Sequence, residues 1–411
     1  MKNFLLITAG QPSVNPRIVK EANALHAAGF GVTVLYCYFI DWATRSDEIL
    51  LKGVKWEYKM VGGSPFHNKT LYLFTKLRFK MARVLNRYLG NNFLIAERSQ
   101  ARCYDELLKA ARSIKADWYI GHNLGALSVC INAAKFHKAK TGFDFEDYHR
   151  EENDNSPRYE KKRIEFLENK YVPFLDHISA ASPMIAKRVA VNFPPQNNKI
   201  ITLLNCFPLS QQPAFREKAE NDHSLKLFWF SQTIGTDRGL EILIDALVEL
   251  NDPSIHLTLA GNCNNDFKSY LDKYAKDIRH QVHLTGTVPP VELLSLAASF
   301  DVGLALELTD PENRNICLTN KIFTYLLAGN AIILSATSMQ SAFNERYKFG
   351  ESFPVNDVEG LVQAIKFYQN REKLDQQRSY NYSLAKRELN WENESEKLVS
   401  LFNQPDLKNE F

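Results

Sequence analysis

The stretch Asp310–Ser335, DPENRNICLTNKIFTYLLAGNAIILS, predicts a loop, a short helix, a glycine stop and a buried strand. Thr319 has a side chain suited to a helix N-cap, and Gly329 stands where a helix C-cap is expected. The apolar run 331–334 that follows is typical of a strand covered on both faces. A helix that opens from a loop favours phosphate at its N-terminus. Lys321 in the first turn is therefore either a phosphate ligand or a side chain that points to solvent, and the local sequence leaves both interpretations open.

The length and charge of the chain limit its class. A chain of 411 residues is too long for one ordinary core, so two domains are expected. A net charge of +3 gives no reason to expect a nucleic-acid partner. The six cysteines form no CxxC pair, which fits a reducing compartment and argues against a disulfide framework or a zinc site. The apolar run 1–8 is too short for a signal peptide and no later run reaches transmembrane length, so a soluble cytosolic protein is the default.

The first half of the chain alternates between predicted strands and helices. A strand at 3–8, a helix at 17–28 and a strand at 32–36 form a βαβ start, which requires a parallel sheet. No GxGxxG fingerprint follows the first strand, so a nicotinamide or flavin enzyme is disfavoured. A later buried strand ends at His122, and ligands of open parallel sheets lie beyond such strand ends. We expect His122 either to act there, since its pKa is near neutrality, or to serve as a packing residue.

A polar, non-periodic linker at 208–224 separates this half from a second alternation of strands and helices. We therefore predict domains at 1–207 and 208–389, with a final helix at 390–411. The predicted loop Ser231–Asp237 offers backbone amides and is followed by Arg238, a cation that can pair with phosphate. Two doubly wound α/β domains facing across a cleft, with Arg238 and Lys321 each at a helix start, favour a bound diphosphate and thus a nucleotide-linked substrate.

The stretch 67–87, HNKTLYLFTKLRFKMARVLNR, has an unusual composition. Its cations are interleaved with apolar and aromatic residues, and it contains no acid. Such a helix is typical of a surface segment that docks on anionic lipid. The alternative is a partly buried helix with a solvated basic rim.

The chain resembles the GT-B glycosyltransferases of the retaining family-4 (glycosyl transferases group 1) type. The matching segments occur in the family's order in both halves: NPRIVKEANALHAAGFGVTVLY, ADWYIGHNLGAL, FDFEDYH, LDHISAASPMIAKRV, FSQTIGTDRGLEILIDAL, LTLAG, VHLTGTVP, LTNKIFTYLLAGNAIILS and, in the last helix, LNWENESEKLVSLF. The resemblance implies two Rossmann-like domains, of which the first binds the acceptor and the second the nucleotide sugar. It also implies that the last helix packs back onto the first domain.

The resemblance also implies roles for particular residues. It implies that His122, Arg238 and Lys321 take part in catalysis. It implies contacts with the donor for Gly10, Thr233, Gly235, Arg238, Glu307, Asn315, Asn320 and Lys321. It implies contacts with the acceptor for Asn15, Arg17, Asp147 and His149.

The resemblance also shows one departure. The family's usual pair of glutamates falls on Ile316 and Thr324, so the hexose contacts differ here. We expect a hexosyltransferase that uses a UDP- or GDP-sugar, needs no cofactor and, lacking a paired-Asp site, needs no metal. The expected acceptor is a glycan or a lipid-linked molecule, and the expected place is the cytoplasm or the inner face of the membrane. A nucleotide-sugar epimerase and a non-catalytic subunit of the same fold are the alternatives.

Overall fold

The computed structural model describes residues 1–153 and 155–403. Its chain divides into two compact units, the first formed by Met1–Leu203 and the chain from Ser395, the second by Leu204–Glu394. These boundaries lie within a few residues of the predicted boundaries at 207 and 389. The first residues of the second unit are hydrogen-bonded to its last residues. The Leu204 amide donates to Glu394 Oε2 at 2.9 Å, and the Trp391 amide donates to the Phe207 carbonyl.

The first unit is built on a seven-stranded parallel sheet of order β3-β2-β1-β4-β5-β6-β7. Its strands are β1 (Asn3–Thr8), β2 (Gly31–Cys37), β3 (Glu57–Val61), β4 (Trp118–His122), β5 (Lys140–Phe145), β6 (His177–Ala180) and β7 (Ile200–Thr202). Its helices are α1 (Pro16–Ala27), α2 (Asp41–Lys52), α3 (Lys69–Leu89), α4 (Ile95–Gln100), α5 (Tyr104–Arg112), α6 (Leu124–His137), α7 (Arg158–Tyr171) and α8 (Pro183–Asn192).

The second unit is built on a six-stranded parallel sheet of order β10-β9-β8-β11-β12-β13. Its strands are β8 (Leu225–Ile234), β9 (Ile255–Cys263), β10 (Val282–Gly286), β11 (Val302–Ala305), β12 (Ala331–Ser335) and β13 (Gly350–Phe353). Its helices are α9 (Leu240–Leu250), α10 (Asn265–Tyr274), α11 (Pro290–Ala297), α12 (Glu312–Ile316), α13 (Asn320–Ala328), α14 (Ser338–Tyr347), α15 (Val358–Gln369) and α16 (Arg371–Arg387). The predicted class of two Rossmann-like α/β domains is confirmed.

The last helix, α17 (Trp391–Asn403), belongs to the first unit from Ser395 onward. Phe402 lies 4.9 Å from the ring of Phe4 and 4.8 Å from the ring of Trp118. These buried aromatic contacts attach the helix to the start of the first sheet. The predicted tail at 404–411 lies outside the described residues.

Two local predictions are wrong. The polar composition of 149–163 predicts a loop, but α7 begins at Arg158 immediately after Pro157, a residue suited to the edge of a helix. The segment 231–234 is not a loop either, since β8 continues to Ile234 and pairs Thr233 with Asn262. The register shifts between Phe230 and Thr233. A Cβ on Gly261, whose φ is +149°, would lie 2.2 Å from the Ser231 carbonyl, so this glycine makes room for the bulge.

No helix in residues 1–153 and 155–403 combines the length and the apolar character needed to cross a bilayer.

Candidate functional site

The strand order of the second unit fixes where its site can lie. The chain starts at β8 in the middle of the sheet, runs outward to β10, and then returns to β11 on the other side of β8. The loops after β8 and β11 therefore leave the carboxyl edge in opposite directions, and ligands of doubly wound sheets bind at such a switch point. These two loops lead to α9 and α13, the helices that begin beside Arg238 and Lys321.

Helix α13 is held at this edge by its caps and by one tyrosine. The Thr319 hydroxyl accepts from the Lys321 amide, and Gly329 ends the helix with φ +73°, as the sequence predicts. The buried Tyr325 hydroxyl donates to the carbonyls of Phe228 and Leu304, on the neighbouring strands β8 and β11. A Cβ on Gly303 would lie 2.2 Å from the Tyr325 ring, so only glycine lets the ring lie flat on β11. These contacts fix α13 next to strands β8 and β11, at the switch point.

Lys321 is buried rather than pointing to solvent, so the interpretation as a solvated side chain is wrong. Its Nζ lies 3.1 Å from Glu307 Oε1 and 5.3 Å from the centre of the Trp229 ring. Glu307 is in turn fixed by Ser335, whose Oγ accepts from the Glu307 amide and donates to the Glu307 carbonyl. A lysine held between a carboxylate and an indole face has one orientation, which suits a fixed positive charge.

Arg238 is half-buried at the start of α9. Its Nη1 lies 3.3 Å from Ser231 Oγ, and no carboxylate of the described residues pairs with it. Gly239, with φ +74°, follows immediately and faces Leu306 after β11. The Arg314 guanidinium donates to the Asp237 carbonyl at 3.0 Å and ties α12 to this loop. The loops after β8 and β11 are therefore bonded together, with an arginine available for an anion.

The other predicted donor residues lie in the same two loops or beside them. Thr233 is exposed at the end of β8, and Gly235 follows it, with Asn264 Nδ2 2.9 Å from where its Cβ would be. Asn315 donates to Glu312 and accepts from the Ser338 amide, while Asn320 accepts from Asn205 Nδ2 at 2.6 Å. All of these positions belong to the second unit. Their roles toward a donor stay predictions.

The positions of the family's two glutamates are structural in this chain. Ile316 and Thr324 are both buried, and the Thr324 hydroxyl donates to the Asn320 carbonyl within α13. A carboxylate at either position would be desolvated. Glu307 is an acid that lies at the switch point, next to Lys321.

The first unit has its own switch point, between β1 and β4. His122, the last residue of β4, is fully buried. Its Nε2 lies 2.8 Å from Glu21 Oε2, and its Nδ1 lies 3.5 Å from Asp144 Oδ2 and 3.5 Å from Glu146 Oε1. Asp144 also receives two bonds from Arg17, at 2.6 and 2.7 Å, and one from Ser179. We call Arg17, Glu21, His122, Asp144 and Glu146 the β4 charge cluster.

The protonation of the β4 charge cluster follows from these contacts. Burial by itself lowers the pKa of His122, but the carboxylates of Glu21, Asp144 and Glu146 outweigh it and raise that pKa well above 6.5. Burial by itself raises the pKa of Asp144, but Arg17 and His122 outweigh it and hold that pKa far below its usual range. These contacts favour the protonated form of His122, whose ring faces carboxylates of its own unit.

The β4 charge cluster also contains the atoms of a possible metal site, since His122, Asp144 and Glu146 each offer a ligand atom within 4.8 Å of the others. The cations Arg17 and His122 already neutralise Asp144. A metal ion would have to displace the Arg17 guanidinium from both Asp144 oxygens. These residues fit an internal ion cluster better than a metal site.

The predicted acceptor residues are mostly engaged within the first unit. Arg17 is buried against Asp144 and the Leu203 carbonyl, and Asn15 caps α1 by accepting from the Ile18 amide. His149 is buried with its Nδ1 3.3 Å from Glu152, which raises the pKa of His149 to about 9 although burial alone lowers it. Asp147 is half-exposed. Gly10, predicted to contact the donor, lies beside Asn123 at the start of α6.

Sequence reasoning missed four residues of these two regions: Glu21, Asp144, Glu146 and Trp229. Glu21 falls on the apolar face of α1, and Asp144 lies inside an apolar strand. An acid at a position that periodicity assigns to the core is a signal for a buried partner. Trp229 carried no such signal, because a tryptophan in a buried strand is ordinary.

Comparison with known proteins agrees with this architecture. Residues 211–383 match the family described as Glycosyl transferases group 1. That match lies within the second unit and covers less than half of the chain, and the search of curated proteins found no match. Together, the family match and the fold support a GT-B glycosyltransferase.

Solved structures resemble the chain over nearly its whole length. Alr3699/HepE of Anabaena, in complex with UDP-glucose, is 13% identical with a TM-score of 0.68, covering 98% of this chain and 99% of that one. Sucrose-phosphate synthase of Thermosynechococcus elongatus is 11% identical with a TM-score of 0.68 and 98% coverage of both chains. TarM of S. aureus, in a complex that includes UDP, is 11% identical with a TM-score of 0.66, covering 98% and 100%. At these identities the likeness establishes the fold alone.

Proposed function

We propose that the protein is a hexosyltransferase that moves a sugar from a UDP- or GDP-sugar to an acceptor hydroxyl, with retention of configuration. The observation that carries the proposal is the pair of cations, Arg238 and Lys321, at the switch point of the unit that matches glycosyl transferases group 1. The UDP and UDP-glucose bound by Alr3699/HepE support a nucleotide-sugar donor.

The diphosphate is the natural ligand for this switch point. Arg238 offers guanidinium donors from the start of α9, and the N-terminus of α13 adds partly positive amides to the charge of Lys321. Negative charge grows on the diphosphate as the bond to the sugar breaks. Fixed cations stabilise that charge without reorganising, so the proposed reaction needs no metal ion.

The acceptor hydroxyl attacks the anomeric carbon on the face that the diphosphate leaves, and the bond between that carbon and the phosphate oxygen breaks. The hydroxyl proton passes to the departing phosphate oxygen. Glu307, adjacent to Lys321, is placed to accept a hydrogen bond from a sugar or ribose hydroxyl.

The acceptor proposed is a glycan or a lipid-linked molecule, in the synthesis of a polysaccharide or glycolipid. We place the protein in the cytoplasm, with a peripheral contact between residues 67–87 and the inner face of the membrane. The basic and apolar composition of this stretch supports the membrane contact.

Isothermal titration with UDP and GDP tests the proposal. Binding of one nucleotide, weakened at least tenfold by Arg238→Ala and unchanged by Lys226→Ala at the other end of β8, is the expected result. Absence of binding at millimolar concentration favours the non-catalytic subunit and overturns the proposal. If a nucleotide sugar is bound and its sugar is epimerised with no transfer to any acceptor, the epimerase alternative is correct.

A further inference from the structure

Helix α3 presents three distinct faces. Thr75, Ala82 and Asn86, spaced by seven and four residues, face the interior of the first unit and are buried. Asn86 receives a hydrogen bond from Arg163 of α7. The inner face thus attaches the helix to the unit, and the two other faces are turned outward.

The second face is apolar and exposed. Its residues recur at helical spacing along one side of the helix, and each is more than half exposed: Leu73, Phe74, Leu77, Met81, Val84 and Tyr88. At the C-terminal end of α3 the exposed surface continues in Phe93, which is 90% exposed. A groove of about 290 Å³ beside α4 is lined by Phe74, Leu77, Met81 and Ile95. Apolar patches of this extent on a single unit mark a binding surface.

The third face is a row of cations. Lys69, Lys76, Lys80, Arg83 and Arg87 follow one another at intervals of seven, four, three and four residues, and all five are exposed. Helix α3 contains no aspartate or glutamate. Arg83 pairs with Glu160 of α7, whereas Arg78, on the far side of the apolar face, pairs with Glu106 of α5. The basic row is therefore turned outward next to the apolar face.

We propose that helix α3 docks lengthwise on an anionic bilayer, with the apolar face among the acyl chains and the basic row at the headgroups. The charge complementarity decides the occupant. A second copy of the chain would bring two basic rows together, whereas anionic lipid neutralises them. The groove beside α4 then holds part of an acyl chain. This inference deepens the membrane contact of the proposed function, but it does not depend on sugar transfer.

Co-sedimentation of the full chain with vesicles tests this inference. The protein is expected to bind phosphatidylcholine vesicles that contain phosphatidylglycerol far more tightly than phosphatidylcholine alone. Raising the salt to about 1 M, where the Debye length is about 3 Å, should release most of it. Because each cation near an anionic surface contributes about fivefold to binding, Lys76→Gln with Lys80→Gln should weaken it roughly 25-fold.

The apolar face is tested separately. Leu77→Ser with Met81→Ser should weaken vesicle binding about tenfold or more, because two exposed side chains no longer enter the acyl region. Lys187→Gln with Val191→Ser is the matched control, an exposed lysine and valine at the same spacing on α8, and should bind as the parent does. All these side chains are exposed, so the thermal midpoint should stay unchanged in every variant.

Two results would overturn the proposal. One is equal binding to vesicles with and without phosphatidylglycerol, or no binding to either. The other is a concentration-dependent dimer in sedimentation velocity that Leu77→Ser with Met81→Ser abolishes, which would assign the apolar face to a second copy. Nucleotide titration is independent of these measurements, so a failed membrane contact and a failed donor site are distinguishable.

Discussion

The two sheets carry charged residues at equivalent places, the carboxyl edge where the strand order reverses, but the charges are used differently. At β1 and β4, Arg17 and His122 are buried and paired with Asp144, Glu21 and Glu146 of the same unit. At β8 and β11, Lys321 meets one carboxylate and Arg238 meets one hydroxyl. A cluster in which every charge has a partner of opposite sign is suited to a structural role. A cluster that contains a cation without a carboxylate partner is suited to binding an anion.

The largest test of this contrast is to remove the cation from the β4 charge cluster. Arg17→Met should destabilise the protein by about 3–5 kcal/mol, because Asp144 loses both guanidinium bonds in a buried place. The free energy of unfolding from urea titration measures this loss. Arg83→Met, which removes an ion pair with an exposed arginine, is the control and should cost at most about 1 kcal/mol. A loss from Arg17→Met as small as that of the control would contradict a structural role for the cluster.

The second test removes Arg238, the cation of the other sheet that has no carboxylate partner among the described residues. Arg238→Ala should lower the rate of sugar transfer about 100-fold, equivalent to about 2.7 kcal/mol of transition-state stabilisation. Its unfolding free energy should change little, since Arg238 is half-buried and pairs with no described carboxylate. Steady-state kinetics with the donor identified by titration measure the change. If Arg238→Ala lowered the free energy of unfolding by several kcal/mol and left the rate of transfer unchanged, the contrast between the two sheets would be reversed.

The smallest effect concerns the pH dependence of the first unit. The pKa of His149 is raised to about 9 in the folded protein, against about 6.5 when unfolded. The stabilisation by its ion pair with Glu152 is therefore complete below pH 6.5 and lost as the pH rises through 9. The loss should amount to roughly 1–2 kcal/mol, since Glu152 is half-exposed and its pairing is screened by solvent.

Urea titrations between neutral pH and pH 10 in the parent and in His149→Asn measure this contribution. The variant should be less stable at pH 7, and the difference from the parent should shrink toward pH 10. A difference that does not vary with pH would show that His149 contributes packing against Phe143 and Phe145 and not charge.

The parts of the site that depend on a few neighbouring residues could be predicted from the sequence. Thr319 and Gly329 cap α13 as expected, because capping depends on a few neighbouring residues. Arg238 lies at the start of a helix that periodicity alone revealed. The extension of β8 was missed, because a bulge opposite Gly261 depends on the pairing of two strands and leaves little trace in either one.

The sequence by itself determined the class of fold, since alternating strand and helix periods with short connections admit few arrangements besides two parallel sheets. It also determined which residues start the helices at the carboxyl edges. Only the tertiary structure decided which charges meet. Arg17 pairs with Asp144, which is 127 positions away in the sequence. Lys321 pairs with Glu307, which follows the end of β11. The first pair is fixed by strand order, because neighbours at the edge of a sheet come from distant parts of the chain. The second depends on how the segment between β11 and α13 folds back on the strand end.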